Sequence, residues 1–275
     1  HRQVREKIVS QFESTGYAVE LQQGTVTVPH LNPLVVPPQV EIKLTNIIAR
    51  RIRTNPPAEN KKPLLLVAHY DSVASGPGVS DDGVAVASLL EIARILASKT
   101  AFDREVIFLI TDGEERNPNT RSGLLGARMF VNEHPLAQQI GIVINLEARG
   151  TTGPSCMFET SRQSYDLMTV FNRIKGPKFA SSLFYEIYKR LPNDTDFSIF
   201  KRAGIHGYNF AFIGNVKFYH TPEDNFANRD LGSMQHHGNN ALRLTLALLN
   251  SSQIERFDTA PPATTNEAVY FDIFG

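Results

Sequence analysis

Three continuous apolar runs alternate with helical patterns along the chain, and this alternation is what most limits the fold. The runs LLLVAHY (64–70), EVIFLIT (105–111) and IGIVINLEA (140–148) have the length of strands that are buried on both faces. Helical periodicity follows the first run over 83–99, and a second helix is predicted over 122–134. Strands that alternate with helices form a largely parallel sheet. The sequence therefore predicts an α/β fold with helices on both faces of the sheet.

Further elements flank this predicted core. The stretches GTVTVP and VEIKLTNIIARRIR alternate like two paired strands. The chain is predicted to be one domain over 1–255 followed by a tail over 256–275. The tail is rich in Pro and Thr and then aromatic, so we expect its aromatic end to pack back onto the body. The remaining predictions are helices over 2–17, 164–174 and 229–250 and a strand over 205–214.

Composition excludes several classes of protein. The chain has 28 basic and 28 acidic residues and a formal net charge of zero, so no basic surface is expected to bind nucleic acid. Cys156 is the only cysteine, which excludes an internal disulfide. No apolar run reaches the roughly 18–20 residues of a membrane helix. These observations favour a globular domain, and none of them indicates an oligomeric state.

Acidic and imidazole side chains follow four predicted strands at the point where each strand ends. Because the carboxyl ends of parallel strands meet at one edge of the sheet, ligands bind there. These side chains are therefore expected to converge. They are His69 and Asp71 after the first run, Asp112, Glu114 and Glu115 after the second, Glu147 in the third, and His220 after 205–214.

Two imidazoles and three carboxylates form a set that suits zinc, which binds His nitrogen and carboxylate oxygen. The set is His69, Asp81, Glu115, Glu147 and His220. Five protein ligands are too many for one catalytic zinc with an open position. They suit two metals that share a carboxylate and activate a water between them. Asp81 lies in the loop before the helix predicted over 83–99, and it is the expected bridge between the two metals.

Two further acids are expected to support this site. Asp71 lies two residues after His69, so on an extended strand end its carboxylate can accept the second imidazole N–H. Glu114 is adjacent to Glu115 and remains free if Glu115 binds metal. Glu114 is therefore predicted to act as the general base, taking a proton from water and giving it to the leaving amine.

Each motif also has an ordinary structural interpretation when it is taken alone. HYD can be a hydrogen-bonding strand end, SDDG a helix N-cap, DGEE a solvated turn and YHTPEDN a surface loop. Glu147 can form an ion pair with Arg149. The other helical histidines, His134, His236 and His237, are predicted to be exposed. The ordinary interpretation does not explain why all five ligands follow strand ends in this order, so the dinuclear site is favoured.

The ordered set AHYDS, PGVSDDGVA, TDGEE, NLEARG and YHTPEDN resembles the M28 family of zinc metallopeptidases, of the aminopeptidase type, over roughly residues 1–250. The resemblance implies a three-layer αβα sandwich with a mixed, largely parallel central sheet. It also implies two zinc ions and a peptide substrate. One zinc would be held by His69 and Glu147 and the other by Glu115 and His220, with Asp81 bridging them.

The resemblance has two finer implications. The bridging acid in this family is commonly followed by a cis peptide, here Asp81–Asp82. Many members have Asp where this chain has Glu147. The Glu form resembles a subgroup of multi-span membrane metallopeptidases of the endoplasmic reticulum and vacuole, and their bacterial relatives. The chain would then be an extracytoplasmic ectodomain, secreted, periplasmic, luminal or vacuolar, with any membrane tether outside it.

The resemblance leaves the substrate-binding groups open. Tyr219 is the candidate for stabilising the oxyanion. Asp194 and Asp196, in NDTDFSIFKRAG, either receive a substrate ammonium or cap the following helix, and Asp196 is our candidate for the ammonium. The competing tyrosines are Tyr185, Tyr188 and Tyr208.

The expected activity is that of a dinuclear zinc exopeptidase that hydrolyses amino-terminal residues, with a metal-bridging water or hydroxide as nucleophile. Several alternatives remain at this stage. On the same scaffold, a glutaminyl cyclase binds one zinc, and a carboxypeptidase needs Arg or Lys for a free carboxylate. A non-catalytic receptor-like domain would lack ligands, whereas none is missing here. A phosphate-ester hydrolase would need a phosphate-binding loop that the sequence does not contain.

Overall fold

The computed structural model describes residues 1–32, 34–35, 37–52, 60–99, 102–162, 164–258 and 267–271. The strands are β1 (Tyr17–Pro29), β2 (Gln39–Arg51), β3 (Leu64–His69), β4 (Val106–Thr111), β5 (Ile142–Ala148), β6 (Cys156–Thr160), β7 (Phe179–Ala180) and β8 (His206–Phe212). The helices are α1 (Arg2–Ser14), α2 (Ala85–Ala97), α3 (Leu125–Glu133), α4 (Ser164–Arg173), α5 (Ser182–Tyr188), α6 (Asp196–Arg202) and α7 (Leu231–Leu249).

The described strands form one eight-stranded sheet in the order β1-β2-β4-β3-β5-β8-β6-β7. Its centre, β4-β3-β5-β8, is parallel. The hairpin of β1 and β2 joins one side antiparallel to β4, and β6 joins the other side antiparallel to β8. The carboxyl ends of the four central strands therefore lie along one edge, where the sequence places its acidic and imidazole residues.

Helices cover both faces of the sheet. Alternate residues of β3 point to opposite sides: Leu64 and Leu66 pack with α1, α2, α4 and α7, while Leu65 and Val67 pack with α3 and α6. Both faces of the strand are buried, which explains its uninterrupted apolar run. The predicted three-layer fold with a mixed, largely parallel sheet is thus confirmed.

Several predicted boundaries shift in the structure. The first helix ends at Ser14, because the chain turns at Gly16, where φ is 87°, and begins β1 at Tyr17. The sequence pattern does not predict β6, β7 or α5. β7 has only two residues and α5 seven, so neither is long enough for a recognisable period.

The C-terminal residues contact the body of the domain. Phe257 is buried in the core and Asp258 makes a two-pronged ion pair with Arg104, although both lie in the predicted tail. Tyr270 packs against the larger core cluster, and its backbone pairs with Ser182. The rest of the predicted tail, 259–266 and 272–275, lies outside the described residues, so the division at 255 stays a prediction.

None of the helices in the described ranges has both the length and the apolar character that crossing a membrane requires.

Candidate metal centre

The five predicted metal ligands come together at the carboxyl edge of the parallel strands. His69 is the last residue of β3, and Glu147 lies near the end of its neighbour β5. Glu115 follows β4, which pairs with the other side of β3. Asp81 lies, with non-helical backbone angles, in the turn that leads into α2, and His220 lies in the loop after β8. The sheet topology thus collects ligands from distant parts of the chain.

Asp81 lies between the two histidines. Its Oδ1 is 3.2 Å from Nε2 of His69, and its Oδ2 is 3.1 Å from Nε2 of His220. On one side, Oε2 of Glu147 is 3.7 Å from Nε2 of His69. On the other side, Oε1 of Glu115 is 3.0 Å from Nε2 of His220. The ligand atoms therefore form two groups of three that share Asp81, and the atoms in each group lie within 4.8 Å of one another.

The group around His220 is arranged to bind a cation. Nε2 of His220 and Oε1 of Glu115 are buried and lie 3.0 Å apart, yet neither has a hydrogen-bond partner among the described residues. Their approach lacks the alignment of a hydrogen bond, which is expected when two ligand atoms face a shared ion. Imidazole nitrogen and carboxylate oxygen are both zinc ligands. The residues present therefore fit zinc.

Several titratable groups of the site favour a bound proton. Burial, assisted by Glu147, raises the pKa of Glu114 well above its usual value, and burial raises that of Glu115 to about 7. Burial alone would lower the pKa of His220, but Asp81 and Glu115 outweigh burial and raise it to about 9. A site that binds protons in this way can exchange them for a metal cation.

Asp71 connects β3 to the loop after β4. Its carboxylate oxygens accept hydrogen bonds from the backbone N–H groups of Glu114, at 3.1 Å, and Glu115, at 3.0 Å. Nδ1 of His69 is 3.0 Å from the backbone oxygen of Asp71 and 3.6 Å from its Oδ1. The predicted partner of the imidazole was the Asp71 carboxylate. In the structure the backbone oxygen lies closer to Nδ1, while the carboxylate stays within ion-pair distance and also accepts the two N–H groups.

A residue that the sequence analysis did not single out holds Asp81 in place. Asp224 accepts hydrogen bonds from the backbone N–H groups of Ser80, at 2.8 Å, and Asp81, at 3.0 Å. Asp224 is buried, and it lies four residues after His220 in YHTPEDN. That motif thus supplies a ligand and also supports the predicted bridge. The peptide bond between Asp81 and Asp82 is cis, which confirms the expectation from the family resemblance.

A cavity of about 390 Å³ opens beside the ligands. Asp81, Glu114 and Glu147 form part of its wall. Much of the rest comes from β6, β7 and α5, and Phe158 and Tyr188 pack edge to face with ring centroids 5.1 Å apart. The cavity therefore offers an apolar surface next to the carboxylates. Its apolar lining includes Phe158, Phe179, Phe184, Ile187, Leu191, Ile213 and Val216.

The two predicted substrate-binding residues occupy different positions. Tyr219 lines the cavity and stacks on His220, with ring centroids 3.7 Å apart. Asp196 is only 1% exposed and accepts a hydrogen bond from Oγ1 of Thr111 at 2.5 Å. Burial raises the pKa of Asp196 to about 7. Asp196 thus lies behind the site and cannot contact a substrate ammonium in the cavity, whereas Asp194 lines the cavity.

The prediction that three helical histidines are exposed is wrong. His237 is fully buried in α7, with Nδ1 2.8 Å from Oγ of Ser155 and its ring edge-on to Phe212. His134 stacks on Phe130, and His236 accepts a hydrogen bond from the backbone N–H of Ser155. Packing of these helices against the sheet and neighbouring loops covers the rings, which sequence periodicity did not reveal.

A three-layer α/β fold with imidazole and carboxylate groups collected at strand ends is an arrangement typical of metallohydrolases. Residues 46–245 match peptidase family M28, and the chain belongs to this family.

Two curated relatives resemble the chain over most of its length. A vacuolar membrane protease from Candida dubliniensis is 37% identical over 193 residues, which are 70% of this chain and 20% of the relative. A putative endoplasmic reticulum metallopeptidase 1-A from Caenorhabditis elegans is 34% identical over 241 residues, 85% of this chain and 25% of the relative. The chain thus spans about a fifth to a quarter of the length of these relatives.

Solved structures share the fold at low sequence identity. A glutaminyl cyclase from Porphyromonas gingivalis has a TM-score of 0.66 and 20% identity and covers 89% of each chain. A zinc aminopeptidase from Bacillus subtilis, BSAP, has a TM-score of 0.58 and 22% identity over 76% of this chain and 51% of its own. These similarities establish the fold.

Proposed function

We propose that the protein is a dinuclear zinc aminopeptidase that removes amino-terminal residues from peptides. The observation that carries the proposal is the position of Asp81, whose two carboxylate oxygens each face a different histidine Nε2. A carboxylate placed in this way can bridge two ions. Membership of a peptidase family and the two protease-named relatives support peptide hydrolysis.

In this proposal, His69, Asp81 and Glu147 hold one zinc ion, and Asp81, Glu115 and His220 hold the other. When bound, the ions supply an activated water and polarise the scissile carbonyl. Asp224 fixes the loop that carries Asp81.

Glu114 moves the proton in the proposed reaction. Its carboxylate is close enough to His69 and Glu115 for their ligand atoms to lie within 4.8 Å of it, and it lines the cavity. This position lets the carboxylate take a proton from the attacking water. As the C–N bond breaks, Glu114 returns that proton to the leaving amine nitrogen. The Asp71 carboxylate fixes Glu114 by accepting a hydrogen bond from the backbone N–H of Glu114.

The cavity walls position the substrate. The apolar lining receives the side chain of the amino-terminal residue and excludes water around it. Asp194 lies in the same wall, but its carboxylate is held by Arg202 and by the hydroxyl of Ser198, so we do not assign the α-ammonium group to it. Burial and the nearby carboxylates raise the pKa of Tyr219, so its hydroxyl stays protonated and can donate to the developing oxyanion.

The proposal is tested by counting metal and replacing the general base. Elemental analysis is expected to give two zinc ions per chain, and Glu114→Gln is expected to keep both while lowering kcat about 10²–10⁴-fold on aminoacyl anilides. Glu133→Gln, which changes an exposed acid on α3, is the matched control and keeps full activity. Turnover by metal-free protein, or an undiminished kcat in Glu114→Gln, would contradict the mechanism.

Glutaminyl cyclase activity is the second candidate, because a cyclase is among the structures that share this fold. Peptides with amino-terminal Gln distinguish the two reactions, since a cyclase releases ammonia and an aminopeptidase releases free Gln. Peptides blocked at the amino or the carboxyl end separate an aminopeptidase from a carboxypeptidase. A receptor-like domain would hydrolyse none of them.

We further propose that this domain works on the luminal, vacuolar or otherwise extracytoplasmic side of a membrane, tethered by segments outside this chain. The names of the two relatives, a vacuolar membrane protease and a putative endoplasmic reticulum metallopeptidase, support this location. Protease protection in sealed vesicles tests it: the domain is expected to resist digestion until detergent opens the vesicles. Digestion of the domain in intact vesicles would contradict the proposed side.

A further inference from the structure

A single cation, Arg149, lines the cavity wall beside the catalytic acids. Arg149 follows the end of β5, two residues after Glu147. Its backbone N–H donates a hydrogen bond to the backbone oxygen of Phe212. Its guanidinium carbon lies 5.5 Å from the ring centre of Tyr219. The side chain is therefore held at the cavity by the loop that also carries His220.

The guanidinium of Arg149 lies over the Tyr219 ring but is paired with no described carboxylate. Its side chain forms no ion pair or hydrogen bond with any described residue, and its Nε is buried without a partner. The ion pair with Glu147 that the sequence allows is not formed. A buried guanidinium nitrogen without an acceptor is costly, so an acceptor supplied by a ligand stabilises it. A carboxylate is the planar, two-oxygen acceptor that a guanidinium binds best.

We propose that Arg149 binds the free carboxyl terminus of the substrate and so directs the enzyme to short peptides with an apolar amino-terminal residue. This inference rests on the aminopeptidase function proposed above. It adds the carboxylate as a second recognised end of the substrate, opposite the amino group.

The dimensions of the site suit di- and tripeptides. Arg149 lies one residue beyond the end of β5, in the same cavity wall as Glu147. A peptide extends about 3.3–3.6 Å per residue, so a short peptide that lies in this cavity can bring its carboxylate to the wall that holds Arg149. The cavity of about 390 Å³ is also near the lower end of the range for ligand sites.

Paired peptides that differ only at the carboxyl end test the inference. Phe-Leu and Phe-Leu amide are compared as substrates of the zinc-loaded wild-type protein, Arg149→Gln, Arg149→Lys and Arg173→Gln. Arg173 is an exposed residue at the end of α4, outside the cavity, and serves as the matched control. Leucyl anilide, which has no carboxylate, measures the basic aminopeptidase activity separately.

The wild type is expected to prefer the free acid over the amide by about 10- to 100-fold in kcat/KM, mainly through KM. Arg149→Gln brings this ratio close to one, Arg149→Lys restores part of it, and Arg173→Gln keeps the wild-type ratio. Calorimetric binding of both peptides to the zinc-loaded Glu114→Gln protein, with and without Arg149→Gln, gives the same comparison without turnover. Thermal melting and metal content establish that each variant is folded and loaded.

The failures of the two proposals have different signatures. Equal use of acid and amide by the wild type, or an unchanged ratio in Arg149→Gln, overturns the role of Arg149 while anilide hydrolysis continues. Absence of all hydrolysis overturns the aminopeptidase function, and the binding comparison then decides Arg149 alone. If the acid and the amide bind equally well, the carboxylate site is excluded.

Discussion

Asp224 is expected to be essential for the proposed metal bridge although it touches no ligand atom. Its carboxylate accepts two backbone hydrogen bonds, from Ser80 at 2.8 Å and Asp81 at 3.0 Å, in a buried setting. Hydrogen bonds to a charged group contribute about 1.5–3 kcal/mol each. Asp224→Ala removes both acceptors, so we expect it to lower the free energy of unfolding by about 3–5 kcal/mol. Asp224→Asn keeps one acceptor oxygen, so we expect the free energy of unfolding to fall by only about 2 kcal/mol.

Urea unfolding of the metal-free protein measures these losses, and zinc retention against a competing chelator measures the effect on the site. Supports of metal ligands typically contribute 10- to 100-fold to metal affinity, and we expect a loss of about that size in Asp224→Asn. Glu223→Gln is the matched control, because Glu223 is exposed and its carboxylate accepts a hydrogen bond from Asn228, away from the Asp81 loop. If Asp224→Asn unfolds at the wild-type urea concentration and holds zinc equally well, Asp224 does not support Asp81.

Two further predictions concern burial and packing. Burial lowers the pKa of His237 to about 3, so the unfolded chain binds an extra proton between about pH 6.5 and 3 and stability falls as pH decreases through that window. Between pH 7 and pH 5, the free energy of unfolding of the wild type is expected to fall by about 2 kcal/mol relative to that of His237→Asn, as measured by denaturant unfolding. Parallel pH curves for the two proteins would contradict this. Gly126→Ala places a Cβ 2.3 Å from the backbone oxygen of Asp112, so we expect the free energy of unfolding to fall by about 3 kcal/mol in the same assay. An unfolding midpoint equal to that of the wild type would show that the helix moves away freely.

The sequence could predict the sheet and the gathering of ligands because both depend on local patterns. Apolar runs identify β3, β4 and β5, and parallel strands bring their carboxyl ends together whatever the details of the loops. His69 and Glu147 lie within such runs, so their approach follows from strand pairing alone. The shared edge is a property of topology, which explains why these positions were predictable.

The supports and the cavity walls could not be predicted because they depend on contacts between distant segments. Asp224 and Asp81 are 143 residues apart, and no local pattern joins them. The sequence indicates that Asp196 can begin a helix, and it does begin α6. The sequence does not reveal that Asp196 accepts a hydrogen bond from Thr111 and so lies behind the site. The short α5 and β7 form an apolar wall only because β6 lies beside them. His237 has a polar side chain in an otherwise ordinary helix, and only the tertiary packing buries it.

The hydrogen bonds from Asp224 to the loop of Asp81 have a consequence during synthesis of the chain. The first candidate ligand is made at residue 69, but the loop that carries Asp81 lacks its support until the segment after β8 has been translated and folded back. A nascent or truncated chain that ends before this segment cannot assemble both halves of the site. Assembly of the candidate metal centre is therefore delayed until the segment that carries His220 and Asp224 has been made.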